Sequence, residues 1–430
     1  MRKILQLKLK ILAKLILKKY KPKVVGITGS NGKTSTKEAI SHVLKEKFNI
    51  RTSYKNYNNE IGLPLTIIGC KSPGKSYLSW FLVFIKALGL LLIKNKKYPE
   101  ILVLEMGIDR PGDMSYLLSI VKPDIAIVTS VSYSHLEYFG SINNIKKEKQ
   151  LLVEALPASG LAILNYDNIH VKEMAEICKS KVVGYGVKDE QAILKTQDIA
   201  YNFTKGRYEL TGVTFKLNYQ GAVVPVNMKN IISEPGIYAA LAAFAVASNF
   251  EISILDTSSY LNNFSLPPGR MNVLPGIKHS FIIDDTYNSS PEAAISAIDI
   301  LGRISVDDNT FKYAVMGDML EIGAYTIEGH RLVGKKIHET NINFLIAVGE
   351  RARDFIRGAK DSGMNEANTF YFDHQDEAGR FLQNRLKEGD IILVKGSQGA
   401  RMEIVVKELM AEPERANKLL VRQEKKWLKN

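Results

Sequence analysis

Cysteine is scarce in this 430-residue chain: Cys70 and Cys178 are the only two, far apart and in no metal-ligand spacing. That excludes a disulfide scaffold and a cysteine-built zinc site, and both read as small buried hydrophobes in a reducing cytosol. No repeat, low-complexity tract or small-residue cleavage site punctuates the chain. No apolar run is long enough to span a bilayer comfortably: residues 77–93 come nearest, 17 residues broken by Ser79 and Lys86 where about 20 are needed. Acidic side chains are missing from the first 23 residues, which hold nine Lys/Arg and so over half of the +13 excess. Later basic residues are interleaved with Asp and Glu, so the charge points to an anionic membrane surface and away from nucleic acid. With 45% hydrophobic residues the chain is globular, with room for two or three domains.

What is present begins with a phosphate loop. An apolar strand, Val24-Val25, runs into Gly26-Ile27-Thr28-Gly29-Ser30-Asn31-Gly32-Lys33-Thr34-Ser35. Ile27 occupies the usual first-glycine position, so the glycines read G-x-x-G-x-x-G-K-T. Backbone N–H groups of Gly29, Asn31 and Gly32 and the following helix N-terminus suit phosphate oxygens. Lys33 supplies a point charge, and the Thr34 hydroxyl suits Mg²⁺.

Ahead of the loop, Leu5, Leu9, Leu12 and Ile16 fall at helical spacing with Lys3, Lys10, Lys14 and Lys18 on another face. This is a basic amphipathic helix, either docked on its own domain or lying in a membrane interface. Segment 77–93, flanked by Lys71, Lys75, Lys94, Lys96 and Lys97, cannot cross once if the loop and Glu105 share a site. It lies in the interface, re-enters, or packs as a core helix.

From residue 100 short apolar strands alternate with helices: 101–104, 125–129 and 161–164, then 281–283, 311–316, 344–348 and 391–394. That pattern predicts α/β architecture with mostly parallel sheets. Residues 194–228 alternate polar and apolar, as in Val213-Thr214-Phe215-Lys216-Leu217, and suggest an antiparallel insert before an alanine-rich helix. Leu266-Pro267-Pro268-Gly269 reads as a hinge. The expected division is a leader helix at 1–22, an ATP-binding domain at 23–266 and a Rossmann-like domain at 267–430.

Glu105 closes a strand where open α/β sheets present ligands, and its carboxylate could hold Mg²⁺ or merely face solvent. His135 follows another strand and alone would more often be structural. By composition, Lys149 lies on a solvated helix face.

The chain resembles the Mur ligase family, nearest its branch that adds D-alanyl-D-alanine. The resemblance rests on residues 26–34, on Asn56-Tyr57-Asn58-Asn59-Glu60-Ile61-Gly62-Leu63-Pro64, on Glu105-Met106-Gly107, on His135-Leu136-Glu137 and on Asn165-Tyr166-Asp167. It continues through Gly269-Arg270-Met271, Asp284-Asp285-Thr286-Tyr287-Asn288, Gly317-Asp318-Met319 and Lys395-Gly396-Ser397, in the family's order. It implies an ATP-dependent amide ligase of cell-wall precursor synthesis with two Mg²⁺ ions. Lys33 would neutralise the transferring phosphate, Thr34 and Glu105 would hold one Mg²⁺, and His135 the second. Lys149 would be carbamylated into a further metal ligand. Arg270 and Asp285 would reach phosphate and ribose; Asn58, Asn59, Asn288 and Lys395 would line the substrate cleft.

Three features depart from the family, the apolar insertion at 77–93 among them. The family's UDP-gripping first domain has no counterpart ahead of the loop, and Pro235-Gly236-Ile237-Tyr238-Ala239 stands where a His-Asn-x-x-Asn run is usual. With two membrane-seeking segments, the expectation is an acceptor presented by lipid, with 1–20 and 77–93 touching the cytoplasmic face. A separate UDP-binding chain, a soluble peptide acceptor, or a non-catalytic nucleotide-binding scaffold remain the alternatives.

Overall fold

The computed structural model describes residues 2–54, 57–133, 136–204, 209–304, 309–424 and 427. It forms two compact units. The first comprises residues 1–200, 214–228 and 235–264; the second comprises 201–213, 229–234 and 265–430.

The first unit is built on β1 (Lys23–Thr28), β2 (Ile50–Thr52), β3 (Ile101–Glu105), β4 (Ile125–Val128), β5 (Leu161–Asn165), β6 (Lys181–Gly186), β7 (Leu194–Thr204), β8 (Glu209–Tyr219) and β9 (Ala222–Met228), in sheet order 2-3-1-4-5-6-7-8-9, although the end of β7 and the start of β8 fall within residues 201–213 of the second unit. Strands β2 through β7 pair in parallel. β3, β4 and β5 are buried along their whole length, which is why they read as unbroken apolar runs. The alternating segment adds the last three strands. Between β8 and β9 lie only Gln220 and Gly221, both at positive φ (51° and 82°), the two-residue turn that joins antiparallel strands.

Four helices set the site and the surface: α1 (Arg2–Tyr20), α2 (Lys33–Leu44), α3 (Gly62–Ile68) and α4 (Tyr77–Leu92). α1 stops where Lys21 turns to φ 50° ahead of Pro22, a residue that cannot extend the helical hydrogen bonding. Leu9 and Ile16 are fully buried and Leu5 and Leu12 partly so, so the apolar face legible in the leader packs on its own unit. Of the alternatives open for 77–93, the structure shows a helix packed along one side, with Val83, Ala87 and Leu90 buried. Cys70 and Cys178 are only partly buried at the margin of this core, more exposed than their composition suggested.

The second unit carries β10 (Asn272–Pro275), β11 (Phe281–Asp285), β12 (Lys312–Gly317), β13 (Phe344–Val348), β14 (Thr369–Phe372) and β15 (Ile391–Lys395), in order 10-11-15-12-13-14. All pair in parallel except β10 with β11. Both faces are covered: Ile283, Ala314, Met316 and Leu393 enter one core and Ile282, Val315, Ile392 and Val394 the other, as strict alternation along a strand requires. Within this unit the Pro-Pro-Gly run is pinned: Gly269 N–H donates to Asp284 Oδ2 at 3.1 Å and Gly269 O accepts from Tyr287 N–H at 3.0 Å.

Candidate active site at the strand ends of the first unit

β1 lies between β3 and β4, so the chain leaving β1 sits where an open parallel sheet forms a ligand crevice. The phosphate loop occupies that position. Gly29 has φ 149°, and a Cβ there would stand 1.9 Å from Thr129 Oγ1, so no other residue fits. Gly32, at φ 83°, turns the chain into α2. The first-turn N–H groups of α2 have no partner further back in the helix and point toward the loop.

The loop is laced to the segment after β4. Ser30 N–H donates to Ser130 O at 2.8 Å, Asn31 N–H to Ser130 Oγ at 2.9 Å, and Thr129 Oγ1 to Asn31 O at 2.5 Å. The Asn31 side chain reaches Ser132 Oγ at 3.2 Å. Lys33 Nζ folds over the loop onto Gly29 O (2.5 Å) and Ser30 O (3.1 Å).

Glu105, at the end of β3 and 2% exposed, accepts from Thr34 Oγ1 and from Asn58 Nδ2, each at 3.0 Å. Its own N–H donates to Ser53 Oγ at 3.2 Å, and Ser53 O accepts from buried Lys37 at 2.7 Å. Among the described residues Glu105 has no cationic partner. A hydroxyl and a carboxylate side by side are hard oxygen donors that fit Mg²⁺, which takes few protein ligands and completes its shell with phosphate and water. No group of three or more His, Cys, Asp or Glu able to hold a metal occurs among the described residues.

Lys149 is on the helix Ile142–Glu154, and it is buried, not on a solvated face. Burial, with Lys33 adding its repulsion, holds its amine well below the usual lysine range, although Asp109 and Glu148 pull the other way. It makes no ion pair among the described residues. A neutral amine is the form that adds carbon dioxide to become a carbamate.

Lys33, Thr34, Asn58 and Glu105 therefore come together, with Lys149 close enough to feel Lys33. Ser35 is buried in the first turn of α2. Asn59 has another employment: its Oδ1 accepts from the N–H groups of Ile61 (3.2 Å) and Gly62 (3.0 Å) at the start of α3. His135 and Asn56 lie outside the described residues.

In the second unit Asp285 pairs with Lys395 at 2.5 Å, and Lys395 also donates to the Asn288 backbone carbonyl at 3.0 Å. Arg270 lies over the Tyr287 ring, 4.1 Å from its centroid. Neighbouring Asp284 is fully buried, and burial pushes its carboxyl up to about 6, against the hydrogen bonds it accepts from Thr286 and Gly269. Where the usual asparagine run is missing, Tyr238 donates to Asp167 Oδ2 at 2.7 Å, and Asp167 gathers the N–H groups of Val187, Lys188 and Asp189.

Residue-by-residue reading missed Ser53, Lys37 and the Thr129-Ser130-Val131-Ser132 run as parts of the site. The hydroxyl density just past a buried strand was the available signal for that run.

The chain is similar to known proteins over most of its length. The Mur ligase middle domain matches residues 27–78 and 85–247, and the Mur ligase glutamate ligase domain matches 269–398. The UDP-N-acetylmuramoyl-tripeptide--D-alanyl-D-alanine ligase of Buchnera aphidicola is 30% identical over 396 residues, 91% of this chain and 76% of that protein. The Thermotoga maritima MurF ligase crystallised with ADP superposes with a TM-score of 0.76 at 25% identity, covering 95% of this chain and 84% of that one. MurF from Acinetobacter baumannii, at 24% identity, gives 0.77 over 93% and 79%. The chain thus belongs to the Mur ligase family of ATP-dependent, ADP-forming ligases.

Proposed function

We propose that this chain joins the amine of a D-alanyl-D-alanine-type dipeptide to the carboxylate end of a muramoyl-type peptide in cell-wall synthesis. The observation that carries the reading is the convergence of Lys33, Thr34, Asn58 and Glu105 at the strand ends around a phosphate loop. A non-catalytic nucleotide scaffold would not need a buried carboxylate against the loop threonine.

The chemistry runs in two stages. A carboxylate oxygen of the acceptor attacks the γ-phosphorus of ATP and ADP leaves, giving an acyl phosphate. The amine nitrogen then attacks the carbonyl carbon, phosphate leaves with the C–O electron pair, and the ammonium gives up a proton. Lys33, released from Gly29 O and Ser30 O, meets the charge on the transferring phosphoryl group, a task of positioning and electrostatics. The first-turn N–H groups of α2 hold the phosphates. Asn58 orients Glu105 through its amide.

Thr34 and Glu105 would hold one Mg²⁺, with His135 and a carbamylated Lys149 at a second, to supply charge neutralisation at the phosphates. Carbamylation forms one N–C bond from the neutral Lys149 amine and carbon dioxide and releases a proton. Asn59 and, in the second unit, Asn288 and Lys395 are proposed to act on substrate, and Arg270 and Asp285 on nucleotide. The acceptor's carrier is a soluble nucleotide or a lipid. Peripheral contact with the cytoplasmic face of the membrane through 1–20 and 77–93 belongs to the same proposal.

The test is ADP and phosphate release, with mass spectrometry of the product, across dipeptides and with nucleotide-linked and lipid-linked acceptors. Release stimulated by D-alanyl-D-alanine, with the joined peptide formed, is expected. Phosphate release that no amine stimulates would defeat the ligase reading.

A further inference from the structure

α4 is apolar all round but only half of it is covered. Trp80, Val83, Phe84, Ala87, Leu90 and Leu91 face the core. At the same helical spacing on the other side, Leu78, Phe81, Leu82, Ile85, Leu88 and Leu92 are between 48% and 82% exposed. An uninterrupted apolar stripe of this kind on one helix needs an occupant.

α1 repeats the arrangement. Opposite its buried Leu9, Ala13 and Ile16, residues Ile4, Leu7, Ile11 and Leu15 form a second apolar stripe, 46% to 61% exposed. On a helical projection Lys3 and Lys14 border that stripe on one side and Lys8 on the other, as in helices that lie in the plane of a bilayer interface. The two helices are fastened to each other: Tyr20 Oη donates to Leu90 O at 2.9 Å, and Lys19 Nζ to Leu90 O (2.9 Å) and Leu91 O (2.7 Å) at the end of α4. A cation there also complements the helix dipole.

Charge names the occupant. Residues 2–23 and 61–99 together hold fifteen Lys/Arg and no Asp or Glu, more than the entire +13 excess of the chain. The only cation within α4, Lys86, is drawn off onto Gly69 O at 2.6 Å. The flanking Lys71, Lys75, Lys94, Lys96 and Lys97 are all exposed. Another soluble protein surface would explain apolar stripes, but not so large an excess of lysine beside them, where Glu60, bonded to Gln6 of α1 at 2.9 Å, is a rare acid. No helix among the described residues is long and apolar enough to cross a membrane, and α4, at 16 residues, spans only about 24 Å.

We propose that α1 and α4 form an in-plane docking surface for an anionic bilayer, with Leu78, Phe81, Leu82 and Ile85 entering the headgroup boundary and the lysines meeting lipid phosphates. This deepens the membrane contact proposed above and rests on that part of the reading, while the ligase chemistry stands or falls apart from it. Loop 27–35 and Glu105 belong to the same unit, so docking would hold the phosphate site near the lipid surface.

Flotation of the full chain with phosphatidylcholine vesicles, with and without phosphatidylglycerol, tests it. Binding at least about tenfold stronger to the anionic vesicles, weakened by salt, is the expected result. A Leu78→Ser/Phe81→Ser/Ile85→Ser variant should lose that binding about tenfold while keeping its melting temperature and its phosphate release on soluble substrates. Lys14→Glu/Lys18→Glu should lose the anionic preference. A folded chain that fails to float, a serine variant that floats unchanged, or a lipid-free dimer that the serine variant dissolves would each overturn the proposal. Phosphate release measured in the same samples shows whether the ligase reading has failed as well.

Discussion

The two units differ in how the buried charged side chains beside their parallel sheets are paired. In the second unit Asp285 is paired with Lys395 and Glu403 with Arg401 and Arg422, while Asp284 and Asp318 accept from neutral donors. In the first, Glu105 is met only by neutral donors, and Lys149 is buried without an ion pair among the described residues. Burying charge without compensation is costly, and beside the phosphate loop the unpaired Glu105 carboxylate suits a cation brought with the phosphates. The second unit thus holds its proposed nucleotide and substrate residues Asp285 and Lys395 in an ion pair, and the first offers a site suited to phosphate and metal.

The sharpest way to break that contrast is Lys33→Ala. If Lys33 meets the transferring phosphoryl group, phosphate release at saturating substrates should fall by about 10²–10³-fold, with the melting temperature almost unchanged. A fall in melting temperature to match would make Lys33 a structural residue.

Lys149→Met should separate stability from activity. Removing a buried amine for an apolar chain of similar length should leave the first unit as stable or more so, while ligation is lost. Lys149→Ala should be partly restored by formate or acetate, because a small carboxylate replaces the carbamate; rescue by chloride alone would contradict that role.

In the second unit, Lys395→Ala leaves Asp285 without its ion-pair partner and should cost about 3 kcal/mol of stability, read by thermal unfolding. Activity should fall as well, because the same pair is proposed to meet nucleotide and substrate; unchanged activity in a folded variant would remove it from the site.

The smallest expected effect is a pH dependence. His330 is buried, accepts from Met319 N–H at Nε2 (3.0 Å) and contacts Thr326 O through Nδ1 (2.6 Å). Burial holds its pKa below 6.5, so the native state binds fewer protons than the unfolded one. Its stabilising contribution is complete above about pH 7 and is lost as pH falls below 6.5. His330→Gln should flatten that acid limb, measured by denaturant midpoints across pH.

Sequence made some of this legible because backbone and side-chain requirements coincide there. Gly29 and Gly32 take conformations that exclude other residues, and Lys33 and Thr34 follow at fixed distance, so the loop declares itself. Glu105 was placed by the apolar strand before it. What stayed hidden depended on tertiary pairing. Ser53 follows a three-residue strand with little periodicity, and Lys37 is an ordinary helix lysine until the residue after β2 presents its carbonyl. Lys149 looks solvated beside Lys146 and Lys147, and only packing shows it buried. α4 was the hardest case, because a helix apolar on every side carries no pattern to say which face is covered.

The central claim is that a carboxylate oxygen attacks ATP at the first unit's phosphate loop. The direct measurement is ligation with an acceptor peptide whose terminal carboxylate carries ¹⁸O, followed by mass spectrometry of the released phosphate. One ¹⁸O transferred per phosphate, formed about 10²–10³-fold more slowly in Lys33→Ala, is the predicted result. Phosphate free of label alongside joined product would show that the acyl phosphate is not formed.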